Sequence, residues 1–134
     1  MSPTWDELGV GTECEPREYG PLTRTDIVRY QGASGDMNPV HHDELFARNA
    51  GFPAPLGVGM FPAGVMMAWA AGAIGPERVR RVRIRWKEAV FPDDTLTYTA
   101  QRVEAQDGGL ELQLKCTRQT GGVTVEGSAL FAPG

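Results

Sequence analysis

Cysteine is scarce in this chain of 134 residues: only Cys14 and Cys116 occur, far apart in sequence. Their separation matches no disulfide framework and no metal or redox spacing, so they read as two free thiols in a reducing compartment. Charge of one sign is not in excess either. With 13 Lys+Arg against 17 Asp+Glu the net charge is −4, which gives no electrostatic reason to expect nucleic acid. No apolar run approaches the roughly 20 residues a bilayer demands; the longest, Gly64 to Ile74, falls well short and follows Pro62. The segment Met1 to Glu7 has neither a basic start nor an apolar run, so no secretory signal is expected and the chain reads as cytoplasmic. Repeats and low-complexity linkers are missing too. The length suffices for one core without staples, so the expectation is a single domain over 1–134.

Another absence is more informative. From Asn49 to Pro76 no residue carries a charge, and from Gly59 to Ile74 the pattern is apolar on every side. A helix with that pattern is buried in protein or in membrane, and the shortness of the run favours protein. The small residues Ala63, Gly64, Ala68, Ala70, Ala71, Gly72 and Ala73 suit close approach to a sheet, while Met66, Met67 and Trp69 fill space. Gly75-Pro76 ends the helix.

On either side the punctuation is clear. Thr23 with Asp26 three residues later reads as a capping box opening a helix over Thr25–Tyr30, and Asp43 as the cap of a second short helix through Asn49. After the apolar helix, Val82-Arg83-Ile84-Arg85-Trp86-Lys87 alternates apolar and basic as a half-buried strand does. Strands over Thr95–Ala105, Leu110–Gln119 and Val123–Ala132 follow, separated by Asp107-Gly108-Gly109 and Thr120-Gly121-Gly122, which supply the positive φ that hairpins need. The expected fold is α+β, a buried helix against an antiparallel meander. The cations Arg81, Arg83, Arg85 and Lys87 read as a solvated or interfacial sheet face. They also suit the phosphates of coenzyme A or of a carrier's phosphopantetheine.

The residues that carry chemistry lie in Ser34-Gly35-Asp36-Met37-Asn38-Pro39-Val40-His41. A carboxylate and an imidazole stand five residues apart on a loop that Pro39 stiffens, with Gly35 permitting a tight course and Asn38 able to bond its own loop. Such a pair can hold one water, one group taking its proton while the other delivers a proton to substrate. Taken singly, Asp36 is more often a loop stitch and His41 a structural histidine, and it is the pair at this spacing that favours catalysis. His42 should point away from its neighbour. A metal site from Asp36, His41, His42 and Asp43 lacks a separate third contributor. Gly57-Val58-Gly59-Met60-Phe61-Pro62-Ala63-Gly64 is no dinucleotide loop, since neither a preceding strand nor the following acid is in place. The Gly59 N–H, at the N-terminal end of the apolar helix, can point at a carbonyl oxygen or serve only helix packing.

The run Tyr30-Gln31-Gly32-Ala33-Ser34-Gly35-Asp36-Met37-Asn38-Pro39-Val40-His41 with Ala47 resembles the signature of the MaoC-like, (R)-specific enoyl-CoA hydratases. Trp5-Asp6-Glu7-Leu8-Gly9-Val10-Gly11 resembles that family's lead-in, and Gly57-Val58-Gly59-Met60 the start of its central helix. The resemblance implies a hotdog fold, a long central helix wrapped by an antiparallel sheet. It implies hydration of a trans-2-enoyl thioester, of coenzyme A or an acyl carrier, to the (R)-3-hydroxyacyl thioester, or the reverse dehydration. Asp36 and His41 would be catalytic, the Gly59 N–H would hold the thioester carbonyl, and Asn38, Val58 and Met60 would stand beside the substrate. Val58 replaces the histidine common before that glycine. No cofactor or metal is implied, and neither nucleic acid nor membrane is an implied partner.

A single hotdog supplies half of the groove, so a homodimer or a heteromer with a second hotdog subunit is expected. Gly32–Asp43, Val58-Gly59-Met60 and Cys116–Gly122 look most like actinobacterial hydratases, including subunits for steroid side-chain or long fatty acyl thioesters. Mycolate-type dehydratase subunits, which are obligate heterodimers, are similar too. Two alternatives differ in class. A hotdog thioesterase would have no need of the Asp-x-Asn-Pro-x-His loop, and a purely structural subunit would tolerate loss of Asp36 and His41.

Overall fold

The computed structural model describes residues 4–134, apart from the Gln106 side chain. Met1–Pro3, the start of the segment read as lacking a secretory signal, lie outside the described residues. Helix α1 (Arg24–Ser34) opens as its sequence dictates: Asp26 N–H donates to Thr23 Oγ1 at 3.0 Å, and Thr23 N–H donates to Asp26 Oδ2 at 2.9 Å. It runs four residues beyond the expected end at Tyr30, through Gly32, because Gly35 takes the left-handed conformation that closes it (φ +79°). Helix α2 (Glu44–Asn49) is capped by Asp43, whose Oδ1 accepts from Phe46 N–H at 3.0 Å. Helix α3 spans Met60–Ile74.

The strands are β1 (Arg17–Tyr19), β2 (Val79–Trp86), β3 (Leu96–Val103), β4 (Leu110–Arg118) and β5 (Val123–Phe131). They form one antiparallel sheet in the order β1-β3-β4-β5-β2. The meander β3-β4-β5 is the expected one, with Asp107 (φ +61°) and Gly121 (φ +89°) in its turns. Strand β2 is placed differently. It does not neighbour β3 but lies at the far edge, paired with β5 in the register Ile84↔Gly127, and the chain then crosses to β3. Gly127 permits this, since any Cβ there would overlap the Arg83 carbonyl.

Helix α3 rests Phe61, Ala63, Met66, Ala70 and Ile74 on an inner sheet face that includes Tyr98, Leu112, Leu114, Val125, Ala129 and Phe131. Buried Tyr98 donates its hydroxyl to Pro62 O at 3.0 Å, so the polar end of a core aromatic is satisfied. The sheet covers only one flank of the helix. Ala68, Gly72 and Ala73 are exposed, and a Cβ added at Gly64 or Gly72 would meet nothing within 4 Å. Most of the small residues therefore line an open flank rather than the sheet contact. The apolar pattern on that flank is the mark of a surface that something else covers. Among the described residues no helix is long and apolar enough to cross a membrane.

One buried polar knot fastens the crossover to the meander. Asp94 accepts from Arg118 Nε at 2.8 Å, from Arg118 Nη2 at 3.1 Å, from Gln119 Nε2 at 2.8 Å and from Phe91 N–H at 2.8 Å. Burial alone would raise the Asp94 carboxyl, but the hydrogen bonds from Arg118, Gln119 and Phe91 outweigh it and hold it below its ordinary 3.8. A carboxylate depressed in the folded state contributes stability that is present above its unfolded value and lost as pH falls through the folded one. Asp94→Asn should therefore cost about 3 kcal/mol at neutral pH and progressively less in acid as pH falls below the ordinary 3.8, where the parent loses the same contribution. Denaturant midpoints at neutral and acid pH test this; a gap independent of pH would assign the role to packing.

Candidate active site

The loop after α1 is held from within and from below. Asp36 Oδ1 accepts from Asn38 N–H at 3.2 Å, and Asn38 Oδ1 accepts from Val40 N–H at 3.0 Å, so each side chain caps the peptide two residues on. Pro39–His41 forms a short 3-10 turn on that cap. Beneath it, the buried Gln31 side chain donates through Nε2 to Asp36 O at 2.9 Å and Asn38 O at 3.2 Å. Gln31 Oε1 lies 3.2 Å from His42 Nδ1. His42 thus turns away from His41 as expected, and Asp43 is occupied in capping α2.

This course brings Asp36 and His41 together. His41 Nε2 lies 3.6 Å from Asp36 Oδ2, beyond direct hydrogen-bond length and close enough for both atoms to reach one donor beside them. The His41 side chain is 10% exposed and that of Asp36 43%, so the pair sits at a mouth, imidazole inside and carboxylate outside. His41 Nδ1 lies 2.7 Å from Leu56 O. A carbonyl can only accept, so Nδ1 carries the proton, and in the neutral ring Nε2 presents a lone pair to the gap.

Three ties place the start of α3, one to this loop, one to α1 and one to β2. The first is His41 to Leu56, reinforced by Leu56 N–H donating to Val40 O at 3.2 Å. The second is Tyr30 stacked on Phe61, with centroids 5.1 Å apart and planes 5° from parallel. The third is Trp86, whose indole N–H donates to Gly59 O at 2.8 Å. Gly59 is the residue before α3 (φ −55°, ψ −35°), and its own N–H donates to no group among the described residues. Val58 is buried beside it, and Met60 is 49% exposed at the first helical position. An unpartnered N–H at the positive end of a 15-residue helix is a ready donor to an anionic or carbonyl oxygen.

Asp36, His41 and Gly59 line neither the concavity of about 590 Å³ on the outer face of the sheet nor the one of about 460 Å³ beside Trp5. Of the groups that can do chemistry, Asp36 is half exposed while His41 is buried beneath it. Three contributors were not singled out from sequence: Gln31, Trp86 and the Leu56 carbonyl. Gln31 stands one residue after Tyr30 at the end of an expected helix, where a buried amide gives no periodic signal. Trp86 reads as one more apolar position in an alternating strand. A backbone carbonyl has no sequence signal at all.

The sequence matches the MaoC like domain over residues 7–126. The chain belongs to the MaoC-like family. Among curated proteins it is 32% identical over 94 residues to 3-hydroxyacyl-thioester dehydratase X of Mycobacterium tuberculosis, covering 70% of this chain and 32% of that protein. It is 36% identical over 88 residues to the peroxisomal enoyl-CoA hydratase 2 of Arabidopsis thaliana, covering 63% and 27%. The chain thus spans a third or less of the length of these two relatives. In fold, the MaoC-like chain superposes on the (R)-hydratase from A. caviae involved in PHA biosynthesis with a TM-score of 0.82 at 21% identity, covering 96% of this chain and 98% of that one. On the ChsH1-ChsH2 complex from Mycobacterium tuberculosis the TM-score is 0.83 at 19% identity, with 94% and 98% covered. At such identities the superpositions show the hotdog fold, and with it the α+β class expected from sequence.

Loss of the Gln31 amide should loosen the loop without touching the pair directly. Gln31→Leu leaves two carbonyls and His42 without their partner and should destabilise the chain by about 1–3 kcal/mol. It should also speed amide exchange across Asp36–His41 more than in the strands. Uniform exchange in the variant would mean that the Asn38 and Pro39 turns hold the loop unaided.

Proposed function

We propose that this MaoC-like chain hydrates a trans-2-enoyl thioester, of coenzyme A or an acyl carrier, to the (R)-3-hydroxyacyl thioester, or runs the reverse dehydration. The observation that carries the reading is the 3.6 Å gap between Asp36 Oδ2 and His41 Nε2. Both atoms are acceptors when His41 is neutral, so one water can donate a hydrogen to each and turn its oxygen lone pairs outward. As that oxygen bonds to the β-carbon, one of the pair removes a water proton. The double-bond electrons move onto the thioester oxygen, which the Gly59 N–H stabilises as an enolate at the α3 N-terminus. A proton then returns to the α-carbon from the same face, through the pair, and the sum is addition of one water. The reaction so drawn calls on no metal, nucleotide or flavin.

The relatives named as an enoyl-CoA hydratase and a thioester dehydratase support the reaction class. Val58 and Met60 flank the carbonyl site in this reading, and Asn38 acts by shaping the loop. The open α3 flank and the unenclosed pair support a groove completed by a second hotdog subunit, identical or different, in a cytoplasmic protein. The acyl group is a fatty chain or a bulky steroid side chain.

Two measurements decide the roles. Asp36→Asn and His41→Ala should each lower hydration kcat by at least about 10², and the double variant should be little worse, because the pair acts on one water. A folded Asp36→Asn protein with near-normal turnover would remove the carboxylate from the mechanism.

The donor is a backbone group, and its test exploits the observed φ of −55° at Gly59, which proline accepts. Gly59→Ala keeps the N–H but brings a Cβ to 3.1 Å from the Trp86 indole nitrogen, so it disturbs packing. Gly59→Pro removes the donor and should lose about 3 kcal/mol more of transition-state stabilisation than the Ala variant, mostly in kcat. Equal rates for the two folded variants would place the carbonyl elsewhere.

A further inference from the structure

The chain has two histidines, and the proposed reaction uses one. The other, His42, turns its ring away from His41 and against the Gln31 side chain. Gln31 is 2% exposed, so each of its polar atoms needs a partner inside the protein. Its Nε2 has two hydrogens and two acceptors in reach, Asp36 O at 2.9 Å and Asn38 O at 3.2 Å. Carbonyl oxygens only accept, and that fixes which way the amide faces. The amide oxygen is left for His42 Nδ1 at 3.2 Å, which must carry a hydrogen to meet it. With the ring hydrogen on Nε2 alone, two lone pairs would face each other. Turning the amide over would only move the conflict to the loop, where Oε1 would meet two carbonyl oxygens.

These contacts close a ring. His41 N–H donates to Asn38 O at 3.1 Å and His42 N–H to Pro39 O at 3.0 Å, so the turn that carries both histidines is bonded to itself. Gln31 ties that turn to α1 at the two carbonyls that bracket Met37, and His42 completes the circuit from the turn's far end. Asp36 is thereby held at its main-chain oxygen by Gln31 and at Oδ1 by Asn38 N–H. Its remaining oxygen, Oδ2, is the one that faces His41 Nε2 at 3.6 Å. Any shift of the loop carries that oxygen with it, and a reacting group misplaced by about 1 Å can cost roughly 10² in rate.

We infer that His42 is a positioning residue for the proposed hydration: its Nδ1–H locks the buried Gln31 amide in the one orientation that holds the Asp36 loop against α1. This role rests on the reading of Asp36 and His41 as the acid/base pair, and adds to it a residue that touches neither the water nor the thioester. The tie needs no charge on His42. Nδ1 donates in the imidazolium and in the neutral Nδ1–H form alike, so only the neutral Nε2–H form is excluded.

Two kinds of measurement test this role. In the resting chain, nitrogen-15 spectra at a pH where the ring is neutral should show His42 protonated at Nδ1 and bare at Nε2. His42→Leu removes the donor. His42→Asn returns one, because the asparagine amide nitrogen occupies the same δ position as the ring nitrogen, and with one histidine left it also assigns the His41 signals. The Leu variant should lose about tenfold or more in kcat with KM changed less than about twofold, and its Met37, Asn38, Val40 and His41 amides should exchange faster. The Asn variant should recover most of the kcat and of the protection. His42 is exposed, so both variants should fold, and the wild-type spectrum needs no variant at all. A neutral Nε2–H tautomer at His42, a Leu variant with wild-type kcat and exchange, or an Asn variant no better than Leu would each overturn the inference. Tautomer and exchange are read without substrate. A wild-type chain that hydrates no enoyl thioester would therefore refute the proposed function, and these two readouts would still decide whether His42 holds the loop.

Discussion

The hydrogen bond from His41 Nδ1 to the Leu56 carbonyl does more for this molecule than its single contact suggests. It fixes the tautomer, and so decides that Nε2 looks at Asp36 with a lone pair. It fixes the ring plane, and so sets the 3.6 Å gap. It also joins two segments that different forces position: a turn-bonded loop between α1 and α2, and the run of chain that leads into α3. Because the carbonyl belongs to a peptide three residues before Gly59, the imidazole is tied to the chain that leads directly into the helix N-terminus. A loop alone would give the acid/base pair a mobile mount, whereas this one is referred to the helix that the sheet holds.

The helix in turn is placed by the sheet, and the asymmetry of that contact shapes everything around it. One flank of α3 carries Phe61, Met66 and Ile74 onto the meander, and the opposite flank carries alanine and glycine that meet nothing. Burying large side chains on one side positions the axis. Keeping the other side small leaves a flat apolar surface at low relief, which suits a wide ligand or a neighbouring subunit better than it suits water. The same division appears in β2, where apolar side chains face inward without cover and cations face outward. The sequence of a strand in the middle of a sheet has no reason to keep so many arginines on one side, but an edge strand does.

The fold was legible wherever a local rule governs. The Thr23–Asp26 box, the Asp43 cap and the Asp107 and Gly121 turns each depend on a few neighbouring residues, and each appears as its residues imply. What escaped was the end of α1, because Gly32 and Gly35 are alike as stop signals in sequence and only packing chooses between them. The place of β2 escaped as well: alternation says that a strand has two faces, but not which neighbour it takes. In the site, the acid, the base and the glycine stand out as residue types that chemistry requires. Gln31 and Trp86 do not, since they act on backbone carbonyls that any residue would provide.

These two supporting side chains share a logic that joins the site to the assembly. Gln31 reaches the loop from the α1 side and Trp86 reaches the α3 N-terminus from the sheet edge, and each donates to a backbone carbonyl, Gln31 keeping its Oε1 for the His42 ring. A group that holds backbone sets the direction of the next peptide, and therefore of the next donor. At Gly59 the constraint comes from a residue that is half exposed on a strand paired along one edge only, so it is only as firm as that strand. Pairing the strand would stiffen the indole, and through it the peptide next to the free N–H. An edge strand of the sheet thus stands beside the proposed donor, where its free side leaves room for a neighbour to act on it.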